Sequence, residues 1–164
     1  MKRLQTATVV NHSIPATINN GDAIIANQID THGFRGGELL VVCQFGAIHA
    51  SATFDSISLQ SSDASGSGFA DVTGCVVGTS TLADSSGTSV NFAGGDDDGA
   101  SVVFHVSLDE SQKRYFQVSV SESGSQAVVI SAVALILPGG TDIGTGLVTS
   151  ATTGAGHQQV LIAS

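Results

Sequence analysis

Several stretches of this chain alternate apolar and polar positions with a period of two. In residues 38–48, Leu39, Val41, Cys43 and Phe45 fall on one face. In residues 102–108, Val102, Phe104, Val106 and Leu108 do the same, and in residues 114–120 so do Phe116, Val118 and Val120. A period of two is the signature of a strand with one buried side, because successive side chains point to opposite faces. No stretch sustains a period near 3.6 with caps at its ends, so little or no helix is expected. The chain is thereby restricted to sheets that bury one face against each other.

Weaker signals complete the set. Residues 23–30, 53–59 and 69–77 read as short strands, with Ile57 and Leu59 inward, and residues 88–92 as a possible one. Thr31-His32-Gly33-Phe34-Arg35-Gly36-Gly37 is a turn by its glycines, and residues 60–68 read as a Ser/Gly/Asp loop. Residues 127–137 are apolar on both faces, which suits a central strand or a strand covered by a partner. The second face of residues 38–48 carries Leu40, Val42 and Gln44 and is only partly polar.

About seven or eight short strands without intervening helices indicate two packed sheets. Antiparallel pairing follows, because parallel pairs need long crossovers. The expected fold is all-β, an antiparallel β-sandwich, jelly-roll-like, with extended N- and C-terminal arms. The divisions are an N-terminal arm over 1–21, in which Val9-Val10 and Ile14 could form a short strand, the β-sandwich over 22–138 and a Gly/Thr-rich C-terminal tail over 139–164. Removal of residues 1–20 is expected to leave the sandwich folded.

Composition excludes several functions. The 164 residues hold 5 Lys+Arg against 14 Asp+Glu, a net charge of −9, and only 12% of residues are charged. Nucleic acid and anionic membrane surfaces are poor partners for such a chain, which lacks clustered cations. Soluble helical bundles need more Glu, Lys and Arg than this. Met1-Lys2-Arg3-Leu4 imitates the start of a signal peptide, but Gln5, Thr6, Thr8, Asn11 and His12 interrupt the apolar run that must follow. Synthesis and folding in a cytoplasm are expected. Cys43 and Cys75 lie in separate apolar stretches and read as small buried hydrophobes, with a disulfide as the alternative.

Candidate chemistry is thin. His12, His32, His49, His105 and His157 show no metal-ligand spacing, and neither GxSxG nor GxxxxGK[ST] occurs. Asp96, Asp97 and Asp98 read as a solvated loop, with a weak Ca²⁺ site as the alternative. Lys113-Arg114 opens a strand and reads as a solvated edge that could also pair with Asp109 or Glu110 across the turn, with a partner contact as the alternative. No cofactor and no catalytic residue is expected.

Four stretches taken in order resemble a known family. They are Ile29-Asp30-Thr31-His32-Gly33-Phe34; Ser58-Leu59-Gln60-Ser61-Ser62-Asp63; Gly68-Phe69-Ala70-Asp71-Val72; and Lys113-Arg114-Tyr115-Phe116-Gln117-Val118. Over residues 24–137 the chain resembles small jelly-roll or β-sandwich head decoration (cement) proteins of tailed bacteriophages. Phe69 stands where the family often has another aromatic such as Trp, and the C-terminal tail is longer than expected. The resemblance implies a non-enzymatic virion protein on the capsid exterior. Its partners would be the major capsid protein and copies of itself, as a trimer or dimer. Lys2, Arg3, Val9, Val10 and Ile14 in the first arm and Val160, Leu161 and Ile162 in the tail are the candidate interface residues. The alternative is a receptor- or glycan-binding sandwich on a phage fibre, tail or head surface.

Overall fold

The computed structural model describes residues 8–13, 15–19, 21–48, 54–78, 99, 101–109, 113–122, 127–137 and 159–163. Its strands are β1 (Thr8–His12), β2 (Ala16–Ile18), β3 (Gly21–Asp30), β4 (Gly37–Ile48) and β5 (Phe54–Ser62). They continue with β6 (Ala70–Gly78), β7 (Ser101–Leu108), β8 (Tyr115–Glu122), β9 (Val128–Leu137) and β10 (Gln159–Ala163). There is no helix among the described residues, hence none long and apolar enough to cross a membrane.

The strands form two sheets. One has the order β1-β9-β4-β7-β10, with β2 also on β9, and the other β3-β8-β5-β6. The pairing is nested: β1 and β2 with β9, β3 with β8, β4 with β7, and β5 with β6. This is one long antiparallel ribbon rolled over itself, the topology of a jelly roll. Rolling brings β9 beside β4 and β8 beside β5, which closes each sheet.

The core lies between the sheets and is made by the alternating rows. Leu39, Val41, Cys43 and Phe45 are 0–1% exposed, and Val102, Phe104, Val106 and Leu108 are 0–3% exposed. Facing them are Ile57, Leu59, Phe116, Val118 and Val120, all at 0%. Fully burying a side chain of this kind contributes about 1.5–3 kcal/mol, so these rows dominate the folding energy. Cys43 and Cys75 are both buried and unbonded to each other, and burial drives the Cys43 thiol far above its usual range. Each packs as a small apolar group.

Three sequence expectations change. The segment read as an arm pairs with β9 from Thr8 to Ile18, and Ile18 is in the core. Removing residues 1–20 would therefore uncover the β9 edge. Pro15, with no N–H for the ladder, accounts for the break between β1 and β2. Ser13 bridges it, donating its N–H to Ala132 O at 2.8 Å and accepting Ala132 N–H on Oγ at 2.7 Å. Second, residues 60–62 are strand. Gln60 and Ser62 share the outer face with Gln117 and Tyr115, Ser61 lies beside inward Phe116, and the ladder to β8 holds the backbone. Third, β10 pairs with β7 in parallel, the exception to antiparallel pairing among the described strands. The possible strand at 88–92 lies outside the described residues.

Candidate functional site

The inward rows of both sheets are used up by the core, so any site must lie on an outer face, an edge or an end. In an antiparallel ladder, residues in register share a face. Leu135 is in register with both Val9 on β1 and Leu40 on β4, and Val133 with Val42. Val42 is in register with Val103 on β7, and Leu40 with His105. The outer face of the six-stranded sheet is therefore a continuous apolar surface of Val9, Leu40, Val42, Val103, Val133 and Leu135. Val9 is 57% exposed and Val133 38%, whereas Val103, between β4 and β10, is 3% exposed. Leu40, Val42 and Leu135 are half-buried.

One ion pair lies on this face among the described residues. Glu38 Oε2 and His105 Nε2 approach to 3.3 Å, with side chains 18% and 22% exposed. Neither atom has a hydrogen-bond partner, and both are shielded from solvent. His105 is half-buried, with Leu40 in register beside it and Glu38 against its ring. Gly46 lies on the same face at a close approach: a Cβ there would meet Val129 Cγ1 at 3.2 Å.

The outer face of the four-stranded sheet is polar. Ser56, Ser58, Gln60, Gln117, Ser119 and Ser121 share it by register. Gln117 Nε2 donates to Gln60 Oε1 at 2.8 Å, and Gln60 Nε2 donates to Asp71 Oδ1 at 3.0 Å. These bonds run across β8, β5 and β6 and satisfy the amides in place. Ile24, 46% exposed, and half-buried Val76, in register with Ser58, are apolar residues on it.

One end of the sandwich gathers the described Lys and Arg residues. The turns β3–β4, β5–β6 and β7–β8 all lie there and line a surface pocket of about 400 Å³ with Thr31, His32, Arg35, Asp63, Lys113 and Arg114. Arg114 grips Asp30 through Nε at 2.9 Å and Nη2 at 2.8 Å, and lies 4.7 Å from the Tyr115 ring centroid. That guanidinium, with the His32 N–H at 2.9 Å, holds the Asp30 carboxyl down at about 2 against desolvation that acts the other way. Lys113 Nζ pairs with Asp63. The lysine and arginine thus reach Asp63 and Asp30, acids on elements distant along the chain. Nested pairing explains it: the ribbon returns β8 between β3 and β5.

The predicted interface residues separate. Val9 is on the apolar outer face, and Val10 packs partly against the core. Val160, Leu161 and Ile162 lie in β10, in register with Val102, Val103 and Phe104. Lys2, Arg3, Ile14, Asp96, Asp97 and Asp98 lie outside the described residues. Among the described residues no group of three or more His, Cys, Asp or Glu side chains is placed to hold a metal ion. The end pocket was not anticipated. Its signal was the parity of the turns: in a nested ribbon every second turn falls at the same end. No family model matches the chain, and no curated protein matches it.

Proposed function

We propose that this chain is a non-enzymatic structural protein that covers and joins the subunits of a larger shell, as a decoration or cement protein of a tailed-phage head. In this reading it binds major capsid protein subunits on the exterior and associates with its own copies. The observation that carries it is the apolar outer face running through Val9, Leu135, Leu40, Val133, Val42 and Val103. A continuous apolar face on a chain with so few charges favours being covered. The capsid subunit as occupant comes from the resemblance of residues 24–137, and many copies on one shell make individually weak contacts sufficient. Mass spectrometry of highly purified particles from the source phage is expected to find the chain in amounts comparable with capsid subunits. Particles that lack it overturn the reading.

The end pocket supports a second reading, a sandwich that binds a receptor or an acidic glycan. Arg35 lines that pocket with no ion-pair partner among the described residues, and a guanidinium fork matches a carboxylate. Specific hits on a glycan array, lost in Arg35→Gln, would favour this reading over the first.

A further inference from the structure

The rolled ribbon is complete without β10. Each of β3, β4, β5, β6, β7 and β8 has its nested partner, and β1 and β2 share β9. β10 is added afterwards, in parallel, on the β7 edge from Gln159 beside Ser101 to Ala163 beside His105. It is also the strand whose attachment to its own body is loosest in sequence. β9 ends at Leu137 beside Glu38, which is in register with Ser107, and β10 starts beside Ser101. The straight separation of these two strand ends, measured along most of β7 and across two neighbouring strands, is roughly 25–30 Å. The roughly 21 residues between them, 138–158, span up to about 70 Å when extended. A Gly-rich chain of that length has a root-mean-square span of about 25 Å. The connection therefore does not confine β10 to its own β7.

The slot itself is equally indifferent. Strand addition is driven by backbone donors and acceptors, which every copy presents identically along β7. Which tail fills a given edge is set by concentration, about millimolar for a tethered segment. Copies packed side by side on a shell reach that range. Exchange of an identical element leaves each copy's contacts intact, so it is a low-cost route to association.

We propose that β10 is an exchangeable strand, and that residues 159–163 of one copy occupy the β7 edge of a second copy. Reciprocal exchange gives a pair, and sequential exchange around an axis gives a closed ring. The inference rests on the self-association within the function proposed above, not on the identity of the shell.

Val103 and Leu161 are in register, and so are Ser101 and Gln159. Chains carrying Val103→Cys and chains carrying Leu161→Cys are refolded together at high concentration and oxidised. The expected product is a disulfide-linked dimer containing one chain of each kind, at least about tenfold above the yield from either chain alone. Buried Cys43 and Cys75 do not compete, since a buried thiol is unreactive. The Ser101→Cys and Gln159→Cys mixture repeats the test should the first pair fold poorly. The proposal is overturned if the mixtures stay monomeric while a single chain carrying both substitutions closes its own disulfide. Light scattering on the unmodified chain separates the two claims. Oligomers without cross-linked mixtures overturn exchange alone, and monomers at every concentration overturn self-association as well.

Discussion

Along β9 the outward row reads Val129, Ser131, Val133 and Leu135, while along β8 it reads Tyr115, Gln117, Ser119 and Ser121. The two strands hold equivalent places: each is interior to its sheet, β9 between β1 and β4, β8 between β3 and β5. Their inward rows are equally buried, with Ile130, Ala132, Ala134 and Ile136 on one and Phe116, Val118 and Val120 on the other. Strand formation and core packing therefore make the same demand on both. A polar outward row satisfies that demand, as β8 demonstrates. The apolar row on β9 is extra, and a free sheet face that is apolar without need is where a partner is sought.

The most direct way to break this contrast is to charge each face in turn. Val133→Asp is expected to weaken association with the shell by 10- to 100-fold, about 1.4–2.7 kcal/mol. Ser119→Asp, the matched change on the other face, is expected to leave binding within about twofold. Both positions are partly or largely exposed, so thermal stability should move little in either. Co-sedimentation with empty heads measures the difference. Equal losses from the two variants would mean that the apolar face is not the contact.

A smaller effect tests whether the apolar face is also internally packed. Gly46→Val places a side chain against Val129, whose Cγ1 already sits 3.2 Å and Cβ 3.3 Å from the Cβ position. Overpacking of this kind costs about 1–3 kcal/mol. Denaturant unfolding is expected to show that loss and its partial recovery in Gly46→Val with Val129→Ala. If Gly46→Val is as stable as the parent, this face yields freely and is less ordered than its polar counterpart.

How much of this was legible in sequence differs between the two levels of structure. The buried rows were, because period two is a local property and each row is read from its own strand. The apolar outer face was legible in halves: Leu40 and Val42 on one stretch, and residues 127–137 apolar on both sides. Their union was not, since only the ladder that sets Leu40 beside Leu135 and Val42 beside Val133 joins them. The role of residues 8–18 was misjudged for a related reason. Pro15 and scattered polar residues resemble a loose arm, but the segment needs only backbone pairing with β9 to become the sheet's first strand. The partners of Lys113 and Arg114 were invisible for lack of proximity, Asp63 and Asp30 being 50 and 84 residues away along the chain.

The smallest effect belongs to that charged end, on the four-stranded side of the molecule. Asp30 has its folded pKa held at about 2, below the ordinary 3.8, chiefly by the Arg114 hydrogen bonds. A depressed carboxyl contributes stability that is fully present above its unfolded pKa and is lost as pH falls through the folded one. The window for this pair is therefore from about pH 4 down to about pH 2. Both side chains are more than 40% exposed, at 42% and 44%, so solvent screens the pair and the loss is modest. Urea midpoints at pH 5 and pH 2.5 should fall further for the parent than for Asp30→Asn, and high salt at pH 5 should shrink the gap between them. Parallel falls would show that the pair contributes nothing to stability. Shell binding at pH 5 should be the same in Asp30→Asn as in the parent. The charges stabilise a turn of the polar sheet, whereas the proposed contact is made by the apolar row of the other sheet.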